Sequence, residues 1–128
     1  MEFREIEQCA FGDLAAFRGV AAREHVSMTD SPSQRWFVIR TKGGHVASFY
    51  SLAVTGGAAR FKANYTVPEF RRMGCLARFI EHAKEICRAE GVKRMTAFCT
   101  DKSIGSHLRA GAIREGGRGG YVFVCYKL

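Results

Sequence analysis

Proline is scarce in this sequence, and so are long apolar runs. The 128 residues include two prolines, and 47% of them are hydrophobic, a composition that excludes a disordered chain. The longest uncharged stretch, residues 46–59, is interrupted by serine, threonine and glycine and is shorter than the roughly 20 apolar residues that cross a bilayer. The first seven residues contain three glutamates, whereas a secretory signal begins with basic residues. We therefore expect a single domain, residues 1–128, that is soluble and cytoplasmic and has no membrane partner.

Paired metal ligands are missing as well. The five cysteines are widely separated and form no C-x-x-C pair, and no two of the four histidines are four residues apart. These spacings argue against a zinc centre or a redox dithiol, so we expect no metal site. Free thiols suit a reducing compartment.

Acidic residues are scarce in the second part of the chain. Up to residue 59, six basic residues are balanced by six acidic ones, whereas from Arg60 onward fourteen basic residues stand against six acidic ones. The whole net charge of +8 therefore lies in the second part. Such an excess attracts anionic partners, which include phosphorylated cofactors, nucleic acids and acidic proteins. A solvated basic surface is the alternative interpretation.

Hydrophobic periodicity predicts a mixed α/β domain. Residues 74–90 place apolar side chains on one helical face and charged ones on the other, and a glycine follows at residue 91. Shorter helices are predicted at residues 11–22 and 102–109. Strands are predicted at residues 3–6, 36–41, 45–54, 58–67, 92–99, 113–115 and 121–126, with a polar loop at 26–34 and a glycine-rich turn at 116–120. The order β-α-β-β-β-α-β-α-β-β predicts a central, mostly antiparallel sheet flanked by helices.

The segment of residues 66–77 joins a predicted strand to the best predicted helix, and its chemistry suits an anion. The first backbone N–H groups of a helix lack intrahelical partners and lie at the positive end of the helix dipole, so they can hold a phosphate. Gly74 allows a ligand to approach the backbone closely. Arg71 and Arg72 add positive charge in a geometry that matches phosphate oxygens.

Two parts of this segment match a known family pattern. Arg71-Arg-Met-Gly-Cys-Leu76 resembles the pyrophosphate loop of the GNAT superfamily of N-acetyltransferases, which has Gln or Arg, two residues, Gly, one residue, then Gly or Ala. Thr66-Val-Pro-Glu-Phe-Arg71 is similar to the residues that precede that loop in the family. The predicted order of strands and helices is similar to the family's over nearly the full length. Leu76 departs from the pattern, and Ala77 follows it directly.

The resemblance implies an acyl-CoA-dependent N-acyltransferase, most simply one that uses acetyl-CoA or another acyl-CoA as a small-molecule partner. The pyrophosphate would bind the backbone amides of residues 71–77, and the pantetheine arm would enter a gap between the strands at 58–67 and 92–99. A backbone N–H near Thr66 would polarise the thioester carbonyl, and the acceptor amine would attack directly. The implied cofactor-binding residues are Thr66, Val67, Arg71, Arg72, Met73, Gly74, Cys75, Leu76, Ala77 and Thr100.

The catalytic groups match the family less well. Aligning Gly111 with the family's C-terminal glycine places His107 where many members have the tyrosine that protonates the departing thiolate. A histidine near its reference pKa of about 6.5 can donate a proton, so His107 is a candidate general acid. No carboxylate occurs on the polar side of the strand at 58–67, where members often have a glutamate base. Glu24 and His25, next to the polar loop, are the candidate bases, and surface solvation is the alternative for each candidate.

The acceptor is left open by the sequence. Arg60 and Lys62 on the polar side of that strand favour an anionic acceptor, nucleic acid or an acidic molecule, over a polyamine. An exocyclic amine of a nucleobase would not require deprotonation before attack. Two alternatives remain: a non-catalytic module of this fold that binds nucleic acid or an acidic partner, and a DNA-modifying transferase similar to phage Mom proteins. The oligomeric state is not predicted.

Overall fold

A computed structural model describes residues 2–128 as one seven-stranded sheet with helices on both faces. The helices are α1 (Arg18–Arg23), α2 (Cys75–Ala89) and α3 (Ile104–Arg109), and short 3₁₀ turns occur at Phe11–Asp13, Ala15–Phe17 and Pro68–Phe70. The strands are β1 (Glu7–Cys9), β2 (Gln34–Arg40), β3 (Val46–Thr55), β4 (Ala58–Thr66), β5 (Arg94–Cys99), β6 (Ile113–Arg118) and β7 (Tyr121–Lys127). Within residues 2–128, none of the helices has the length and apolarity needed to cross a membrane.

The sheet has the strand order β1-β2-β3-β4-β5-β7-β6, and β4 and β5 form its parallel pair. Pairing between these two strands begins at Ala58 with Arg94 and ends at Phe61 with Ala97. Both strands continue beyond that point without pairing to each other, to Thr66 and Cys99. The two strand ends therefore part and leave an opening in the middle of the sheet, as the family resemblance implied.

Two hydrophobic cores lie on opposite faces of the sheet. The main core contains Phe79, Ile80 and Ala83 of α2, packed on β2–β5 and β7. The second core lies under α1 and the 3₁₀ turns and includes Leu14 and Phe49. The apolar positions of α2 recur at three- and four-residue spacings, which explains why this helix could be predicted closely from its sequence.

A β-bulge in β4 breaks the alternation that the sequence predicts. Three residue steps on β4, from Lys62 to Tyr65, face two steps on β3, and Ala63 takes a left-handed backbone conformation with φ of 54°. The extra residue exchanges the two faces of β4 for the residues that follow it. Phe61 therefore packs in the main core and Tyr65 in the second core, although regular alternation would place them on one face.

Three smaller predictions of secondary structure were wrong. The first strand spans Glu7–Cys9 rather than residues 3–6, because Phe3 makes a single isolated bridge to Thr41 and otherwise packs against the main core. Half of the helix predicted at 11–22 is two 3₁₀ turns, and the Ala10 N–H at the start of the first turn donates to the Asp13 carboxylate at 3.2 Å. The predicted turn at 116–120 shrinks to Gly119 and Gly120, both with positive φ as a two-residue hairpin requires, so β6 extends to Arg118.

Candidate functional site

The parting of β4 and β5 creates a cleft with a volume of about 1430 Å³. Its walls come from the two strand ends, the loop before α2, α3, the segment after α1 and the β6–β7 hairpin. Most of the residues that the sequence analysis selected meet on these walls, and they are Glu24, His25, Thr66, Arg71, Arg72, Gly74, Cys75, Leu76, Ala77, Thr100 and His107. Residues from six elements of the chain are thus brought to one place.

The loop before α2 is open to an anion. Arg72 has a φ of 62° and Gly74, the residue that caps α2, a φ of 85°, so two left-handed residues turn the chain into the helix. No side chain caps this helix by a hydrogen bond, and the first helical hydrogen bond runs from the Arg78 N–H to the Gly74 carbonyl at 3.1 Å. The N–H groups at the start of α2 therefore have no intrahelical partner. A Cβ at Gly74 would meet no atom within 4 Å, so open space lies beside this backbone.

The Arg71 guanidinium is held in place by protein groups through its Nε and Nη2. Its Nε donates to the Thr66 carbonyl at 3.0 Å, and its Nη2 donates to both carboxylate oxygens of Glu24 at 2.8 Å. The Tyr65 hydroxyl also donates to Glu24, at 3.3 Å. Hydrogen bonding to Arg71 holds the pKa of Glu24 below its ordinary value, and the same bond raises the pKa of Arg71. A carboxylate that accepts three hydrogen bonds is a weakened proton acceptor.

The end of β4 presents a free backbone N–H to the cleft. The Val67 N–H donates to the Ala47 carbonyl on β3 at 2.9 Å. Because successive peptide groups of a strand point in opposite directions, the Thr66 N–H points toward β5, where pairing has already ended. The Thr66 side chain is fixed in turn by a 2.7 Å hydrogen bond between its Oγ1 and the Ser48 hydroxyl.

His107 lies in the cleft wall in a buried setting. It is 3% exposed, its Nδ1 lies 2.6 Å from the Tyr126 hydroxyl, and its ring meets Phe61 edge to face. Burial lowers the pKa of His107 to about 4, so the ordinary histidine pKa assumed from the sequence was wrong. Every fully buried side-chain nitrogen or oxygen in residues 2–128 has a hydrogen-bond partner, and the Nε2 of His107 has none, so Nε2 must reach the cleft. At neutral pH this group is a neutral imidazole.

Several neighbouring residues differ in placement from what the sequence implied. Val67 and Met73 do not line the cleft, since Val67 packs between the two cores and Met73 points to solvent with 45% exposure. Leu76, the departure from the family pattern, is half-buried and packs against the main core. Cys75 is buried, and burial raises the pKa of its thiol, so the helix start does not make it a reactive thiolate.

The cleft is strongly basic. Among the described residues, 2–128, Glu24 is the one acidic residue that lines the cleft, and its carboxylate is paired with Arg71. Six cationic side chains line it, and they are Lys62, Arg71, Arg72, Lys102, Arg109 and Arg118. An unbalanced group of this size favours anionic ligands.

Sequence reasoning missed Phe98 and Tyr121, which also line the cleft. Phe98 is 63% exposed, and the Tyr121 hydroxyl donates to the His25 carbonyl at 3.2 Å. This bond joins residues 96 positions apart, so no local pattern could have predicted it. The alternation in β5 did carry a signal for Phe98, because it puts this residue on the face opposite Met95 and Ala97.

The fold can be compared with known structures. A PaiA N-acetyltransferase from Thermoplasma acidophilum, solved with coenzyme A, matches with a TM-score of 0.81 over 100% of both chains at 13% identity. A ribosomal-protein-S18-alanine N-acetyltransferase from Escherichia coli matches with a TM-score of 0.81 at 15% identity, over 98% of this chain and 94% of that one. The spermidine/spermine N-acetyltransferase SpeG from Vibrio cholerae matches with a TM-score of 0.73 at 12% identity, over 98% and 95%.

Sequence comparison and structural comparison give different results for this chain. No protein-family model and no curated protein sequence matches this chain. The structural matches nevertheless cover 98–100% of this chain, with TM-scores of 0.81. The chain therefore has the fold of the GNAT N-acetyltransferases.

Proposed function

We propose that this protein is an N-acyltransferase that uses an acyl-CoA, most simply acetyl-CoA, as the acyl donor. The observation that carries the proposal is the uncapped start of α2 beside the parted strands β4 and β5. An anion site and a slot that leads past a free backbone N–H occur together in one cleft. One of the structures with the same fold was solved in complex with coenzyme A, which supports the same use of the cleft here.

The residues present fit the donor. Bound acyl-CoA supplies an activated acyl thioester, and its pyrophosphate is a group by which the protein can hold it. The N–H groups of Cys75, Leu76 and Ala77 at the start of α2 would receive the pyrophosphate, with Gly74 leaving room for it. Arg72, Lys102 and Arg109 add positive charge on the same side of the sheet. Thr100 and Thr66 flank the slot for the pantetheine arm.

The groups around the strand end orient a carbonyl. The Thr66 N–H faces the slot and can donate a hydrogen bond to a thioester oxygen, which stabilises negative charge that develops there. Arg71 holds the carbonyl of Thr66, and Glu24 holds Arg71, so the pair fixes the strand end. Glu24 then acts as a positioning residue, and the base role inferred for it from the sequence is not needed.

His107 keeps the role of the group that assists the departing thiolate, but as a neutral hydrogen-bond donor. With a pKa of about 4 it is neutral during turnover, so it acts through a hydrogen bond from Nε2 to the departing sulfur rather than as an imidazolium. This role requires the tautomer in which Nε2 carries the hydrogen and Nδ1 accepts from the Tyr126 hydroxyl, 2.6 Å away. His25, an exposed residue of the cleft wall, is the candidate proton acceptor that the sequence offered, and it would be needed for a charged acceptor amine only.

The acceptor is anionic in this proposal. Arg71 is paired with Glu24. The other five cations that line the cleft have no carboxylate partner among the described lining residues. Three of them lie with the phosphate loop and α3, while Lys62 and Arg118 lie on the other side of the sheet. A polyamine would be repelled from Lys62 and Arg118, although spermidine and spermine are named for one similar structure.

The test is an isothermal titration of the purified protein with acetyl-CoA, with two variants at one position. Gly74→Asp and Gly74→Asn introduce side chains of equal size into the same left-handed conformation, so both carry the same strain and differ in charge. At about 4 Å and an effective dielectric near 20, one carboxylate opposes one phosphate charge by about 4 kcal/mol. We expect wild-type binding, a moderate loss in Gly74→Asn, and a further loss of at least tenfold in Gly74→Asp.

Two outcomes would contradict the proposal. Equal affinity of the Asp and Asn variants would mean that no phosphate lies at the start of α2. A folded wild-type protein that binds neither acetyl-CoA nor longer acyl-CoAs would leave the non-catalytic module as the function of this fold. Circular dichroism of each variant shows that the comparison is made between folded proteins.

A further inference from the structure

An aromatic surface lies on the side of β5, β7 and β6 that faces away from α2 and α3. Phe98 is paired in register with Phe123, and their ring centroids are 4.9 Å apart. Both side chains alternate with residues of the main core, so they project from the opposite face. Phe98 is 63% exposed and Tyr121, two residues before Phe123, is 37% exposed. We call Phe98, Phe123 and Tyr121 the aromatic platform.

Cations surround the aromatic platform. Arg60 is in register with Thr96 of β5, which places Arg60 and Lys62 on the platform's face of the sheet. Arg118 is in register with Tyr121 and lies on the same face. Glu115 lies on the outermost strand and is paired with Arg94 at 2.5 Å, and none of the ion pairs within residues 2–128 involves Arg60, Lys62 or Arg118.

We propose that the aromatic platform and its cations bind single-stranded nucleic acid and present a base to the cleft as the acyl acceptor. Every base has a flat π surface that can stack on a side chain such as Phe98, and successive phosphates suit Arg60, Lys62 and Arg118. The platform is continuous with the cleft, because Phe98 and Tyr121 line the cleft as well. Its cations lie on β4 and β6, on either side of the platform, and this spread suits the successive phosphates of a strand better than the single phosphate group of a free nucleotide. In a duplex each base is already stacked on its neighbours, so its flat surface is not available to Phe98. The binding part of this proposal stands alone, and its transfer part rests on the proposed function.

The cleft suits the amine of a nucleobase. Of the described residues, 2–128, the acidic one that lines the cleft is Glu24. Its carboxylate already accepts hydrogen bonds from Arg71 and Tyr65, so no free carboxylate in the cleft is placed to deprotonate a charged amine. Exocyclic amino groups of bases are uncharged and need no such step. In the transfer, the amino nitrogen bonds to the acyl carbon, the carbon–sulfur bond breaks, and the proton lost from nitrogen ends on sulfur as the coenzyme A thiol.

The test measures binding of a fluorescein-labelled single-stranded oligodeoxyadenylate by anisotropy, without acetyl-CoA. Stacking on an aromatic side chain contributes roughly 1–3 kcal/mol per base, so Phe98→Ala should weaken binding by roughly 5- to 150-fold. Three phosphate contacts predict a slope of about −2 for the logarithm of affinity against the logarithm of salt concentration. Lys62→Gln should reduce the steepness of that slope by roughly 0.7.

Two matched controls separate the site from general effects. Ile113→Ala removes an exposed apolar side chain from the same face of the sheet, and Lys42→Gln removes an exposed lysine from the β2–β3 hairpin. Both should bind as the wild type does. Size-exclusion chromatography of wild type and Phe98→Ala tests whether this surface instead covers a second copy of the chain, since a dimer that Phe98→Ala dissociates would overturn the proposal.

The remaining outcomes separate this inference from the proposed function. Unchanged oligonucleotide affinity in Phe98→Ala overturns the platform, whatever the acetyl-CoA titration shows. Adenosine monophosphate that competes as strongly as the strand overturns the choice of a strand in favour of a free nucleotide. Oligonucleotide binding that depends on Phe98 in a protein that binds no acyl-CoA keeps the platform and contradicts the enzyme. Transfer of radiolabelled acetyl to the strand, lost in Phe98→Ala, supports both together.

Discussion

Burial of His107 makes the stability of this protein depend on pH in a way that can be isolated by one substitution. The folded protein holds the imidazole neutral, with a pKa of about 4, whereas an unfolded chain protonates it near its ordinary pKa of 6.5. Between these two values the unfolded state binds the extra proton, so the free energy of unfolding falls as pH falls from about 6.5 to about 4. Below that range the contribution of His107 is constant.

The magnitude follows from the two pKa values. One pKa unit corresponds to about 1.4 kcal/mol, so the largest loss from this group is about 3 kcal/mol. Between pH 7 and pH 4.5 the loss is about 2 kcal/mol. Against a typical stability of about 5–15 kcal/mol for a domain, this is readily measured. His107→Gln keeps a polar group beside the Tyr126 hydroxyl and removes the titration.

Urea unfolding of wild type and His107→Gln at about pH 7 and about pH 4.5 tests the prediction. The wild type should lose about 2 kcal/mol more than the variant over this interval. His45→Gln, at an exposed histidine of the β2–β3 hairpin, is the matched control and should keep the wild-type difference. An equal pH dependence in wild type and His107→Gln would refute the buried neutral imidazole and return His107 to the ordinary acid that the sequence suggested.

Two further changes have opposite consequences for stability and for binding. Arg72→Gly removes a side chain from a left-handed backbone position that disfavours non-glycine residues by about 1–2 kcal/mol, so thermal unfolding should show unchanged or higher stability while calorimetry shows weaker acetyl-CoA binding. Lower stability in Arg72→Gly would contradict this conformation. Glu24→Gln breaks an ion pair that is more than a third exposed on both sides, so the stability change should stay below about 1 kcal/mol. If Glu24 positions Arg71 rather than accepting a proton, the rate should fall less than the factor of about 100 to 10,000 expected for loss of a general base.

The sequence predicted best what depends on local periodicity. Helix α2 was placed within one residue at each end, because its apolar face and the glycines at positions 74 and 91 are local signals. The mostly antiparallel sheet followed from the predicted order of strands and helices. These features require no knowledge of distant contacts.

What the sequence could not predict depends on contacts between distant residues. The bulge at Ala63 arises from the register between β3 and β4, and it moves Tyr65 to the other face of the sheet. The pKa of His107 reflects its burial beside Tyr126, 19 positions away. The bond from Arg71 to Glu24 joins residues 47 positions apart, so the local pattern at residues 71–76 carries no signal for it.

The most direct test of the cofactor site is a ¹⁵N–¹H NMR titration of the 14.2 kDa protein with coenzyme A. The largest shifts should occur at the amides of residues 72–77, followed by Thr66 and Thr100 on the two sides of the slot. Residues of the β2–β3 hairpin should stay unchanged. Shifts centred anywhere else on the molecule, or none at saturating coenzyme A, would contradict the claim that this cleft is built for an acyl-CoA.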